Sequence, residues 1–581
     1  MSRISRVMWA AFAVLLLWAC DPSVDGVGGG AHNQPGAGGQ GGQGGAGGGG
    51  GQFAAADAGV GPWGGEGEGE GEGEGEEERG ADPAAPPPRG NTNINLGGAQ
   101  DFGYFRRLLA DGIVPTSEDF DAGGFFAEHH TPLPDPHCGE RVCLQAMLGV
   151  RANLINGNNC TMLQLGLNSP IVADPNDRPA LNLVVVVDVS GSMSEAGKLE
   201  FVRQGLHQMV NELNDDDAIA LVKYSREAEL VQPLGPLRGQ RNALHDLVDR
   251  LQPEGATNIH DGLRVGYREA LSGYDSGRQN RLIMLSDGVA TAGNTDDAAI
   301  LALSRTYNSE GVGLTTVGLG SDFNYALMRD LAEQGDGNFY FVEHAEAVRE
   351  VFTEELSYFT VPVAFDVELS MQPGGDYRLI RAQGSRFWTY DDETGGGGLR
   401  VPSVFLAHRV AHDDVGPGGT RRGGGSALLV ELMPDPRPDR APGETNVAVI
   451  DLSFREPGTD RTVQQTINVM YPEAPDVLLR RGFFDNTIVE KSFVMLNIYV
   501  GIVTAVDLFY LERDGEQAVA MLRALVAAVR DYEDGANDGM GDVDIQLDAE
   551  LLDQLVEVML ANGATEPVDQ ELPEDPWPED D

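Results

Sequence analysis

Leu181-Asn182-Leu183-Val184-Val185-Val186-Val187 runs directly into Asp188-Val189-Ser190-Gly191-Ser192, and this stretch decides the fold. Six of its first seven residues are apolar and four of them β-branched, the pattern of a strand buried on both faces. Leu199, Val202, Leu206, Met209, Val210 and Leu213 follow at helical spacing. Beyond them the pattern predicts strands at 218–224, 281–286, 313–319 and 339–342. These alternate with helices at 240–251, 259–272, 295–307, 323–333 and 344–357. Such alternation predicts an α/β domain with a doubly wound, mostly parallel sheet covered on both faces. Ligands of these sheets bind in the crevice beyond the carboxyl ends of the strands.

Asp188, Ser190 and Ser192 stand at that end, on the loop leaving the first strand. The turns Gly255-Ala256-Thr257-Asn258 and Ser286-Asp287-Gly288 are expected to meet them there. Two carboxylates and three hydroxyls offer hard oxygen donors without nitrogen or sulfur. That set suits Mg²⁺, with Ca²⁺ and Mn²⁺ as alternatives, rather than zinc. Five protein groups also leave an octahedral position open.

These residues resemble the metal-ion-dependent adhesion site of von Willebrand factor type A domains, with all five positions filled by Asp188, Ser190, Ser192, Thr257 and Asp287. The resemblance implies that the Asp-x-Ser-x-Ser hydroxyls ligate the ion directly, that Thr257 binds directly or through water, and that Asp287 acts through water. It also implies that the open position accepts a carboxylate from a protein partner. Phe105-Arg106-Arg107-Leu108-Leu109, Gly112-Ile113-Val114-Pro115 and Ser321-Asp322-Phe323-Asn324 with Gly335 to Tyr340 are similar to a group of bacterial exported lipoproteins. In that group a type A domain sits between N-terminal and C-terminal modules.

The N-terminus places the chain in a compartment. Arg3 and Arg6 precede the apolar run Val7 to Leu17, which is too short to span a bilayer and has the layout of a signal peptide (1–19). Leu17-Trp18-Ala19-Cys20 resembles a bacterial lipobox, so Cys20 is the expected lipidation site; the alternative is an ordinary secretory signal with an incidental Cys. Residues 20–90 then form a Gly-, Glu- and Pro-rich tether. Of the 77 glycines in the chain, 26 lie between Gly26 and Gly80, and eight glutamates fall between Glu66 and Glu78. Such a segment cannot bury a core, and as a flexible coil it spans roughly 45 Å. Together these features predict a lipid-anchored cell-envelope protein, on the outer membrane or the periplasmic face of the inner one.

Four further segments flank the α/β domain of 179–358. Residues 91–178 are expected to supply a helix and a β-hairpin, and 359–475 short alternating strands. Both belong to one β-sandwich in or beside which the α/β domain is inserted. A helical region (476–562) contains the charge-free run Ser492–Val506, bracketed by Glu490, Lys491 and Asp507 and expected to be a buried helix too short to span a membrane. An acidic tail (563–581) ends the chain, and Asp531 to Asp544 reads as an acidic loop between helices. Export makes disulfides possible. Either Cys138 and Cys143 pair and leave Cys160 free, or one of them pairs with Cys160. A tight turn at Asn156-Gly157 would put Cys143 opposite Pro170 and favours Cys138–Cys143.

Composition narrows the function. The chain has 581 residues, 91 Asp+Glu against 40 Lys+Arg, and a formal charge of −51. That balance excludes a nucleic-acid-binding surface and electrostatic docking to anionic lipid, because both need clustered cations. Lys occurs only at 198, 223 and 491, which reads as codon bias. No G-x-S-x-G, H-E-x-x-H or Walker motif is present, so a binding role is expected rather than an enzyme. The alternative is an envelope scaffold with a latent metal site.

Overall fold

The computed structural model describes residues 91–567 apart from 158, 172–177, 344–346, 348–350, 353–357, 359–361, 408–420, 436–442, 460, 473–481 and 537–540. The expected signal segment, Cys20, the tether, most of the tail and most of the helix at 344–357 lie outside the described residues.

The chain enters through β1 (Thr92–Asn95), β2 (Gly98–Ala99), α1 (Gly103–Ala110) and α2 (Ala122–Ala127), then forms β3 (Cys143–Ala152) and β4 (Asn159–Ser169). The central segment runs β5 (Leu181–Asp188), α3 (Lys198–Glu212), β6 (Ala218–Tyr224), β7 (Ala228–Pro236), α4 (Arg241–Asp249) and α5 (Ile259–Ser272). It continues with β8 (Gln279–Ser286), α6 (Asp297–Asn308), β9 (Gly313–Leu319), α7 (Tyr325–Gln334) and β10 (Asn338–Val342). Strands β11 (Pro362–Pro373), β12 (Tyr377–Gln383), β13 (Thr389–Asp391), β14 (Gly396–Leu406), β15 (Leu428–Pro434), β16 (Asn446–Arg455), β17 (Thr462–Met470) and β18 (Phe483–Phe484) follow. Helices α8 (Thr487–Asp507), α9 (Gly515–Ala536) and α10 (Val543–Ala561) close the described chain.

Seven strands in the order β2-β10-β9-β8-β5-β6-β7 build the central sheet, parallel except for the edge strand β7. All eight residues of β5 are buried. Leu183, Val185 and Val187 pack with α3, while Val184 and Val186 pack with α5 on the other face. The doubly wound α/β expectation agrees with this sheet. Strand β7 was not anticipated: its residues are half-exposed, and Pro233, Gly235 and Pro236 break any apolar run. Strand β2 was missed for a different reason, since two residues before α1 carry no periodicity, yet Gly98 and Ala99 extend the sheet beside Asn338 and Phe339.

The remaining strands form an antiparallel sandwich built from chain on both sides of the α/β insertion. Strand β4 pairs with β15, and β11 pairs with β14 and β16. Strand β1 joins the two halves, with Thr92 and Asn93 on β4 and Ile94 and Asn95 on β14. Alternate residues of both halves, such as Leu163, Leu165, Val367, Leu369, Val430 and Leu452, share one core. The hairpin register corrects the expectation: Cys143 faces Asn168 and Cys160 faces Arg151. The loop is longer than a two-residue turn, with the Gly157 N–H reaching back to the Asn153 carbonyl at 2.8 Å. Cys138 and Cys143 form a disulfide. No cysteine among the described residues is a free thiol, so the favoured Cys138–Cys143 pair is present but the expectation that it leaves Cys160 free is not met.

Helices α8, α9 and α10 pack against the N-terminal segment, where Phe102, Phe105, Phe120, Phe125 and Phe126 enter the same core. With its final turn, the helical stretch Thr487–Glu512 has 26 residues, longer than the charge-free run suggested, and is long and apolar enough to cross a membrane. In this fold 67% of its most apolar window is buried inside the protein. Part of the expected acidic loop is structural: α9 runs to Ala536, and Asp542 caps α10 by accepting from the Asp544 and Ile545 N–H groups. His129 is fully buried against these helices. Its Nε2 lies 2.7 Å from Asp548, which also pairs with Arg421 at 3.0 Å. Arg421 further reaches Asp544 at 3.3 Å, and Lys491 holds Asp544 and Asp542 at 2.8 and 2.9 Å.

Candidate metal centre

The five residues singled out by sequence converge at the carboxyl end of β5 and β8. Asp188 ends β5 and is fully buried, as is Asp287 just after β8; Ser190 and Thr257 are buried and Ser192 is half-buried. The Ser190 N–H donates to Asp188 Oδ1 at 2.8 Å. Ser190 and Ser192 hydroxyls lie 3.0 Å apart, and Ser192 donates to Asp287 Oδ1 at 2.8 Å.

Thr257 is carried in by the loop before α5. The Gly191 N–H donates to the Gly255 carbonyl at 3.2 Å, and Thr291 and Ala292 N–H groups donate to the Thr257 carbonyl at 2.8 and 3.1 Å. Gly255 sits at φ +69°, a left-handed conformation that glycine adopts without strain. Asn258 caps α5 by accepting from the Asp261 N–H. Gly262 and Gly266 let α5 lie close on the sheet, where a methyl group would come within 2.9 Å of the Tyr224 ring or 2.6 Å of Val186. Gly288 keeps the centre open: a Cβ there would stand 3.5 Å from Thr257 Oγ1 and 3.7 Å from Ser192 Oγ.

Three further residues act on this centre and were not anticipated. Tyr224 and Ser286 hydroxyls donate to Asp188 Oδ2 at 3.2 and 2.9 Å, which orients the carboxylate. Lys198, nearly buried at the start of α3, places its ammonium 2.9 Å from Asp287 Oδ2. All three lysines are ion-paired, Lys223 with Glu229 and Glu254 and Lys491 in the helical region.

Burial pushes the Asp188 carboxyl up to about 6; hydrogen bonds from Ser190 and Ser286 pull it down, and the Asp287 charge raises it. Two buried carboxylates thus stand against one ammonium, with hydroxyls from Ser190, Ser192, Thr257, Tyr224 and Ser286 around them. An all-oxygen set with an unbalanced negative charge fits a hard divalent cation, held by Asp188, Ser190, Ser192, Thr257 and Asp287. Such an ion would supply a positive centre for an anionic ligand. Among the described residues no group of three or more His, Cys, Asp or Glu side chains is arranged to hold a metal.

Comparison with known proteins agrees on the central segment. Residues 182–354 match the model of the von Willebrand factor type A domain. The chain is 32% identical over 196 residues to YfbK, an uncharacterized protein of Escherichia coli strain K12, covering 33% of this chain and 34% of that one. It is 30% identical over 167 residues to human inter-alpha-trypsin inhibitor heavy chain H4, covering 27% of this chain and 17% of that one. The chain spans less than half the length of the curated relatives it matches. Among solved structures, a von Willebrand factor type A protein from Catenulispora acidiphila aligns with a TM-score of 0.44 and 16% identity, covering 72% of this chain and 96% of that one. The chain carries a von Willebrand factor type A domain over residues 182–354.

Proposed function

We propose that this chain is a lipid-anchored binding protein of the cell envelope. Its type A domain holds a divalent cation, Mg²⁺ before Ca²⁺ or Mn²⁺, between Asp188, Ser190, Ser192, Thr257 and Asp287. Through that cation it engages a carboxylate on a protein partner. The observation that supports this most is the charge of the centre, two buried carboxylates against one ammonium, at a crevice that half-exposed Ser192 opens to solvent. A chain of charge −51 repels an acidic ligand unless a cation lies between them. The Ser190 and Ser192 hydroxyls bond to each other and Ser192 donates to Asp287, with no histidine partner among the described residues, which supports binding rather than nucleophilic chemistry.

The decisive experiment adds cation to the purified protein. At about 100-fold excess over Kd, Mg²⁺ should raise the unfolding free energy by about 2.7 kcal/mol, and Asp188→Ala should abolish the rise. Capture of a partner from crosslinked envelopes should fail in EDTA. Stabilisation that persists in Asp188→Ala, or capture that survives chelation, would falsify the reading. The anchor is tested separately by mass spectrometry of the Cys20 peptide, where an unacylated cysteine removes that part.

A second reading, an envelope scaffold with a latent metal site, draws on Lys198, whose ammonium already balances one charge of Asp287. It predicts a complex that forms equally with and without the ion.

A further inference from the structure

Helices α3 and α4 share a core on one face of the central sheet, where Leu206 and Val210 join Leu244 and Val248. At the solvent edge of that packing His207 and His245 stand together, both half-buried, with ring centroids 4.9 Å apart and Nδ1 atoms 2.7 Å apart. The far nitrogen of each ring faces an acceptor. His207 Nε2 lies 2.9 Å from Asp249 Oδ1, and because a carboxylate only accepts, this nitrogen carries the proton. His245 Nε2 lies 3.3 Å from Asn211 Oδ1, an amide carbonyl that likewise accepts. A neutral imidazole has one N–H and one lone pair, so both Nδ1 atoms present lone pairs. Set against each other at 2.7 Å, these repel unless a cation joins them. The same pairing, a near lone pair with a far N–H held by a carboxylate or carbonyl, orients metal-binding histidines. Local charge also favours a cation. Asp246 and Asp249 act on His245, while Arg241 directs its guanidinium to the Val210 and Leu213 carbonyls and to Asp215.

We propose that His207 and His245 bind a transition-metal ion, Cu²⁺ before Ni²⁺, through their two Nδ1 atoms, with water completing the coordination. The spacing selects the metal. Two nitrogens held about 2.0 Å from an ion stand about 2.8 Å apart at neighbouring corners of a square or octahedral site, and about 3.3 Å apart in a tetrahedron. The observed 2.7 Å fits the square edge, which Cu²⁺ and Ni²⁺ prefer, and disfavours tetrahedral Zn²⁺. Asp249 is a positioning residue: it fixes the ring of His207 without touching the ion. The bound ion clips α3 to α4, about 14 Å along α3 from Lys198 beside the oxygen-lined centre. Cations are thereby sorted by donor type, because imidazole nitrogens take the softer ion and leave hard ions to hydroxyl and carboxylate oxygens.

The test adds Cu²⁺ to the full chain in excess Mg²⁺ and reads the first equivalent by electron paramagnetic resonance. Nitrogen splitting from two imidazoles is expected. His207→Gln and His245→Gln, both at the protein surface, should each abolish the two-nitrogen pattern. Asp249→Ala should keep that pattern and weaken the ion by about 10- to 100-fold, as loss of a residue that only orients a ligand does. Asp188→Ala should leave both the pattern and the affinity unchanged. A two-nitrogen pattern that persists in both histidine variants places the ion elsewhere and overturns the proposal. So does its absence from the unaltered chain, which would mean that the pair shares a proton only. Loss of the pattern in Asp188→Ala would put the copper at the oxygen-lined centre and overturn the assignment as well.

Discussion

Two buried carboxylate pairs in this protein are treated in opposite ways. Asp544 and Asp548 sit between α10 and the N-terminal segment with Arg421, Lys491 and His129 around them, and those charges hold both carboxyls below the usual carboxylate range despite burial. Asp188 and Asp287 sit at the end of the central sheet with Lys198 alone, and burial pushes Asp188 up to about 6. The first pair is closed by cations of the chain itself and fastens two distant segments together. The second pair is one positive charge short and faces a crevice. Charge neutralisation from within marks a structural joint; neutralisation left incomplete marks a place for a ligand.

The largest effect that could break this contrast is on stability. Arg421→Ala removes the cation that Asp544 and Asp548 share and should cost about 3–5 kcal/mol in chemical denaturation, with no recovery on adding Mg²⁺. Recovery by the ion would mean that both pairs are cation sites.

A smaller effect concerns pH. In EDTA the folded state holds the Asp188 proton up to about 6, whereas the group ordinarily titrates at 3.8. Its contribution is therefore most favourable below pH 4 and declines as pH rises through 6. Asp188→Asn should gain about 3 kcal/mol over wild type at pH 8 and nothing at pH 4, because each tenfold difference in proton affinity between the folded and unfolded states is worth about 1.4 kcal/mol. For Asp544 and Asp548 the direction reverses: their stabilisation is present above the usual carboxylate range and fades as pH falls through their lowered values. A wild-type and Asp188→Asn pair with parallel pH profiles would remove the distinction.

The smallest effect sharpens it. Lys198→Gln takes away the one internal positive charge beside the metal centre and should tighten Mg²⁺ by about tenfold, or ~1.4 kcal/mol, in calorimetric titration. Weaker binding instead would show that Lys198 serves chiefly to orient Asp287.

How much of this was legible in the sequence depends on distance along the chain. The β5 strand and the Asp188-x-Ser190-x-Ser192 loop are one continuous segment, so period and motif coincide, and Thr257 and Asp287 follow from strand ends that patterning also locates. Lys198 escaped because its partner lies 89 positions away and nothing local marks an ammonium on a helix as buried. The cluster around Asp548 was wholly invisible: His129 and Asp548 are separated by 419 positions. No periodicity spans that interval; only packing brings the two together. The hairpin register failed for a local reason, since Asn156-Gly157 belongs to a longer loop and a slip of two residues leaves the same faces buried.

The insertion of the α/β domain into the sandwich has a consequence for synthesis. Leu165 of β4 pairs with Leu428 of β15, so the first hairpin of the sandwich must wait for about 260 further residues before its edge is covered. During that interval β4 presents an apolar face and a row of unsatisfied backbone groups, a template for pairing with other chains. The inserted domain, by contrast, has almost all its strands consecutive in the chain and can collapse while the sandwich is still open. Nascent molecules therefore carry a finished head on an unfinished body. The vulnerable moment for aggregation or proteolysis comes after the metal centre has formed and before β15 emerges.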